Sequence, residues 1–217
     1  MRRPFFTHLA PFALPIMFFC LTIMAGSMAL QHPASITGKE LSWLDALFTA
    51  TSATCVTGLI VVDTGSFFTQ FGQGVIMLLI QLGGLGIMTY TSLIFYLWHK
   101  RVSLTDRLAV GQALLQDPCF SLGRFLIQVV LACIFIEGSG FFLLYMTVPD
   151  FDLFAALFHS VSAFCNAGFA LQAGNLMPYK GMWTVNLVFM ALIVLGGLGF
   201  SILLELYMSG KRLVTRQ

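Results

Sequence analysis

Apolar residues fall along this chain in four long blocks and two short ones. The long blocks, near 9–30, 73–98, 125–147 and 182–207, each reach the roughly 20 residues that a helix needs to cross a bilayer. The short ones, near 41–53 and 151–163, lie between the first and second and between the third and fourth. At about 1.5 Å per residue they reach little more than halfway through a hydrocarbon core of about 30 Å, so they read as re-entrant half-helices. Each runs into a short polar stretch before the next long block.

The two short blocks are copies. Ala46-Leu47-Phe48 and Ser52-Ala53-Thr54-Cys55-Val56-Thr57-Gly58-Leu59 return as Ala156-Leu157-Phe158 and Ser162-Ala163-Phe164-Cys165-Asn166-Ala167-Gly168-Phe169, every pair 110 positions apart (168 − 58). Leu82-Gly83-Gly84-Leu85-Gly86 returns as Leu195-Gly196-Gly197-Leu198-Gly199 at an offset of 113 (196 − 83), so the second copy carries three extra residues between. A fixed internal period is the mark of a duplicated structural unit. The expected fold is therefore an all-α integral membrane protein of two tandem helix–pore-loop–helix repeats, 1–110 and 111–217, with four transmembrane helices and two re-entrant half-helices.

Composition and charge sharpen that picture. The chain is 58% hydrophobic and 9% charged, where a soluble domain is about 25% charged. Nine of the 11 Lys and Arg residues fall on one side of the four-span arrangement: Arg2, Arg3, Lys100, Arg101, Arg107, Arg124, Lys211, Arg212 and Arg216. Only Lys39 and Lys180 fall on the other. The positive-inside rule makes both termini and the 99–124 loop cytoplasmic, in a multi-pass plasma-membrane protein. Glu40, Asp45, Asp63, Asp150 and Asp152 give the outer side a negative balance that concentrates cations. Arg2 and Arg3 ahead of an apolar run and Ala25-Gly26-Ser27 also fit a secretory signal. Both half-helices need a preceding helix, however, and 9–30 supplies the first. Five cysteines without a CxxC pair indicate neither a disulfide framework nor zinc; they read as buried small apolar groups.

A half-helix that begins outside points its C-terminal end, with roughly half a negative charge, at the bilayer centre. Irregular backbone at that depth is tolerated only when enclosed by protein or lining a wet path. Extended backbone after the half-helix turns successive carbonyls to an axis, and rings of carbonyls replace the hydration shell of K⁺. The candidate ion-binding backbone is Thr54, Cys55, Val56, Thr57 and Gly58 in the first unit, and Phe164, Cys165, Asn166, Ala167 and Gly168 in the second. The glycines supply positive φ and keep the lumen clear.

These two runs, with the doubled Leu-Gly-Gly-Leu-Gly, resemble the Trk/Ktr family of potassium-uptake membrane subunits over nearly the whole chain, and the short lead into the first span resembles the Ktr branch. The resemblance implies four helix–pore-loop–helix units around one filter, of which this sequence matches the first two. A second half is then expected as a partner, from a second copy or a separately encoded chain, since two strands cannot surround an ion. It also implies a cytoplasmic nucleotide-binding regulatory ring as a possible partner, membrane lipid as the surroundings, no nucleic acid, K⁺ as the transported ion with Na⁺ open, and no cofactor in this chain. The alternative is a non-conducting truncated or regulatory subunit that assembles with a full-length transporter. No metal pair, nucleophile motif or cofactor loop suggests an enzyme.

Other residues have plainer readings. Leu-Gly-Gly-Leu-Gly is not a dinucleotide loop, because Thr89 and Ile202 stand where its third glycine is needed; small residues let helices approach or bend. Glu137, inside the third span, reads as a protonated or hydrogen-bonded packing group before it reads as part of an ion path. Glu205 can reach the interface near Lys211 and Arg212. His159 reads as a packed, hydrogen-bonded side chain, and Trp43, Trp98 and Trp183 as interface anchors.

Overall fold

The computed structural model describes residues 6–38, 40–86 and 122–198 of the 217-residue chain, with side chains from 16 and 127 onward in the outer two blocks. The basic residues expected on the cytoplasmic side, together with Lys39, Trp98, Cys119, Gly199 and Glu205, lie outside the described residues, except Arg124, which is described by backbone alone.

Each repeat folds as a long helix, a short helix, a loop and a further helix. In the first, α1 (Phe6–Gln31) is followed by a 3-10 turn at Pro33–Ser35, then α2 (Trp43–Thr54), the single turn α3 (Thr64–Phe67) and α4 (Gln70–Gly84). In the second come α5 (Leu122–Thr147), α6 (Leu153–Phe164), a 3-10 turn at Met177–Tyr179 and α7 (Trp183–Gly197). Helices α2 and α6 are both 12 residues long and sit 110 positions apart, one to two residues beyond the expected 41–53 and 151–163. Both start on a side-chain cap. Ser42 Oγ accepts from the Asp45 amide at 3.1 Å, and Asp152 Oδ1 accepts from the Ala155 amide at 2.7 Å, satisfying one of the otherwise orphaned first-turn donors.

The expected span at 73–98 is not one unbroken helix. Helix α4 stops at Gly84, and Gly86 turns the chain at φ +78°, a conformation that glycine reaches without steric cost. Helix α7 stops at the matching Gly197.

Packing ties the repeats into one body. One apolar cluster gathers Leu30, Ala46, Ala50, Phe68, Ile76 and Ile80 of the first repeat and is closed by Phe158, Val161, Ala167 and Phe169 of the second. Another, including Val129, Leu144, Val148, Val185 and Phe189, lies within the second repeat. Helix α1 is integral to this packing: Leu30 is fully buried, and a methyl group on Gly26 would meet the Leu79 side chain at 2.7 Å. The outward faces are apolar too. Met17, Leu21 and Met28 on α1, and Leu131, Phe135, Phe142 and Met146 on α5, are exposed, and Ile127–Thr147 is long and apolar enough to cross a membrane. Trp43 and Trp183 are exposed. Among the described cysteines all are free, but only Cys133 is fully buried. Cys20 and Cys55 are exposed, so the expectation of buried thiols fails for those two.

Candidate functional site: two facing loops

The two half-helices end in the same motif. Thr57 N–H donates to Ser52 C=O at 3.0 Å and Val56 N–H to Ala53 C=O at 3.2 Å; in the second copy Ala167 donates to Ser162 at 2.8 Å and Asn166 to Ala163 at 3.0 Å. This is the Schellman closure, which requires a left-handed residue just past the cap. Val56 takes φ +57° and Asn166 φ +59°. Asparagine suits that conformation, whereas a β-branched valine is an outlier there. The backbone after the half-helix is therefore not extended at once, as expected from sequence. Cys55 and Cys165 stay helical at φ −81° and −72°, the next residue reverses to positive φ, and Gly58 and Gly168, two residues further on, do so again.

A serine then straps each loop to its helix. Ser52 Oγ donates to Leu59 C=O at 2.7 Å and Ser162 Oγ to Phe169 C=O at 2.6 Å. Thr57 Oγ1 adds a bond to Ser52 Oγ at 2.9 Å; Ala167 cannot, and a cavity of about 160 Å³ lined by His159, Ser162, Asn166, Asn175, Phe189 and Ile193 borders the second loop. These straps leave the intervening carbonyls without a strong hydrogen-bond donor. Among the described residues, the carbonyls of Thr54, Cys55, Val56 and Thr57, and of Cys165, Asn166 and Ala167, accept no hydrogen bond; Phe164 C=O has only a long contact from Asn166 Nδ2 at 3.5 Å.

The loops meet at their glycines. Gly58 and Gly168 both have φ +74°. A methyl group on Gly58 would stand 2.6 Å from Ala167 O and 3.4 Å from Gly168 Cα. Behind them, the paired glycines of Leu-Gly-Gly-Leu-Gly make room for the half-helix ends. Gly83 lies against Thr54 C=O, Gly196 against Phe164 C=O, and Gly84 against the Cys165 side chain of the other repeat.

Three roles were invisible as roles in the sequence. The strapping serines stand in the quoted repeat, and their recurrence 110 positions apart was the available signal. The seating glycines read from sequence as close-approach residues, without a sign of their partner. Gln81, whose Nε2 donates to Glu137 Oε1 at 2.9 Å, carried no signal. The plain readings of Glu137 and His159 hold: both are buried and hydrogen-bonded. His159 Nδ1 faces Ala155 O at 2.7 Å while Nε2 accepts from Leu171 N–H at 3.3 Å, so the partners assign the neutral tautomer with the proton on Nδ1.

Mostly helical and without a named strand among the described residues, with outward apolar faces and a bilayer-length helix, the molecule is of the helical membrane-protein class. The chain belongs to the TrkH family, described as cation transport protein, which it matches over residues 8–216. It is similar to Ktr system potassium uptake protein B of Bacillus subtilis, 48% identical over 210 residues, covering 94% of this chain and 46% of that protein. The protein of the same name from Vibrio alginolyticus is 41% identical over 191 residues, covering 85% and 42%. Potassium/sodium uptake protein NtpJ of Enterococcus hirae is 36% identical over 188 residues, covering 84% and 42%. The chain thus spans less than half the length of these curated relatives. Family membership places it among cation transport proteins rather than enzymes.

Proposed function

We propose that this chain carries two of the four helix–pore-loop–helix units of a potassium pathway. In this reading α2 and α6 are re-entrant half-helices and the segments Thr54–Gly58 and Phe164–Gly168 are two filter strands. The observation that carries it is the pair of facing loops with successive unpaired carbonyls. At bilayer depth a carbonyl without a donor is costly, and no water reaches it unless the site is a wet path; Cys55, Thr57 and Asn166 are exposed, as residues lining such a path must be. A desolvated monovalent cation supplies the missing positive charge. The C-terminal ends of the two half-helices, whose loops meet at Gly58 and Gly168, add to the attraction.

The relatives are potassium uptake proteins by name, one of them potassium/sodium, so K⁺ is the favoured cargo, with Na⁺ the competitor. The other two units come from further sequence or a second chain. The basic residues face the cytoplasm, where a nucleotide-binding regulatory ring is the partner implied by the Ktr resemblance.

The test is ion uptake by cells deficient in K⁺ uptake, carrying this chain within the assembly that completes the pore. Gly58→Ser and Gly168→Ser each place a side chain where the loops converge and oppose positive φ. Both should admit Na⁺ more readily relative to K⁺ at matched expression. Unchanged K⁺ affinity and K⁺/Na⁺ preference in both variants removes these glycines from the ion path.

A further inference from the structure

Glu137 lies ten residues from either end of the bilayer-length segment Ile127–Thr147 and is buried. Its only side-chain partner among the described residues is the Gln81 amide, through Nε2 at 2.9 Å. The other atom of that amide, Gln81 Oε1, is buried and has no donor. A carboxylate offers acceptors only and cannot satisfy it, whereas a carboxylic acid offers an O–H as well. The groups that face Glu137 add no counter-charge. Ser160 Oγ of α6 donates to the Glu137 main-chain carbonyl at 2.7 Å, and the nearby titratable groups, Cys133 one turn back and Cys165 beyond α6, are thiols. An unpaired carboxylate at mid-bilayer depth is strongly disfavoured.

We propose that Glu137 is held as a neutral carboxylic acid in a two-bond ring with the Gln81 side-chain amide, and that this ring positions α4 against both loops. The register matters because Gln81 stands two and three residues before the glycines that seat Thr54 and Cys165. Fixing Gln81 to α5 of the other repeat therefore fixes where both half-helix ends rest. Glu137 acts as a positioning residue, and its link to selectivity rests on the pore reading above.

Infrared spectroscopy of the full chain in lipid bilayers at neutral pH tests the ring without transport. A protonated-carboxyl C=O band should be present, absent in Glu137→Gln and shifted in Gln81→Leu. In uptake measurements Glu137→Gln, whose amide closes a similar ring, should keep the K⁺/Na⁺ preference. Glu137→Leu should lower it by about tenfold, the order expected when one buried amide loses its partner. Absence of a Glu137-dependent band, a band unmoved in Gln81→Leu, or equal loss in Glu137→Gln and Glu137→Leu overturns the proposal. A wild-type assembly that takes up no cation refutes the pore reading, while the spectra still decide the ring.

Discussion

Alanine at Gly58 and alanine at Gly168 are the same change at matched positions, yet the structure makes them unequal. Both glycines sit at φ +74°, where an L side chain costs roughly 1–2 kcal/mol. At Gly168 that is nearly the whole effect, because the added methyl meets only Gly58 Cα at 3.5 Å, an ordinary contact. At Gly58 the methyl lands 2.6 Å from Ala167 O, well inside the roughly 3.5 Å at which such atoms rest. The obstacle is main chain, so the strands must part, and overpacking of this kind adds about 1–3 kcal/mol. Gly168→Ala should thus cost about 1–2 kcal/mol and Gly58→Ala about 2–5 kcal/mol. The assay is the fraction of folded protein surviving graded heating in mild detergent, followed by tryptophan fluorescence and size-exclusion profile, with K⁺/Na⁺ preference measured alongside. The larger loss must fall on Gly58→Ala in both readouts. Equal losses, or a larger loss in Gly168→Ala, refute the argument that the first strand bears directly on the second at this point.

Further outcomes follow from the same geometry. Gly83→Ala and Gly196→Ala drive a methyl into the last half-helix carbonyl, Thr54 O or Phe164 O, and should abolish folded protein; Gly74→Ala and Gly138→Ala, with nothing within 4 Å, should fold at wild-type yield. Ser42→Ala and Asp152→Ala remove the half-helix caps and should each cost about 1 kcal/mol of stability, read as a lowered melting temperature. Single cysteines at Lys39 and Lys180 should react with an impermeant thiol reagent from outside the cell, and those at Arg107 and Gln217 only after permeabilisation; labelling of Arg107 from outside overturns the four-span topology.

The order of long and short helices was legible because hydrophobic block length is set by bilayer thickness, and the duplication because identical spacing left Ser52 over Ser162 and Gly58 over Gly168. What escaped depends on torsions and on contacts between distant residues. Val56 gives no sign of a left-handed turn, since its β-branched side chain argues against one; only the hydrogen bonds of Thr57 and Val56 reveal the reversal. The end of α4 at Gly84 was masked by the apolar residues that precede it and by Ile87 and Met88 just beyond Gly86. Gln81 is one amide in an apolar helix, and its importance arises from Glu137, 56 positions away.

The loops owe their free carbonyls to main chain, and every amino acid brings the same carbonyl. At three matched positions the side chains differ completely, Thr54 and Phe164, Val56 and Asn166, Thr57 and Ala167, while Val56 and Asn166 share a positive φ of +57° and +59° and both glycines stand at +74°. A duplicated unit built this way is free to diverge in sequence without altering the chemistry it presents, provided the torsions survive. Divergence then shows up in how each strand is held. Thr57 braces the first strand against Ser52, whereas Ala167 has no hydroxyl and is buried in the apolar cluster between the repeats. On the pore reading, a passing ion meets two walls alike in main chain and held from behind by different means, one by a hydroxyl and one by apolar packing.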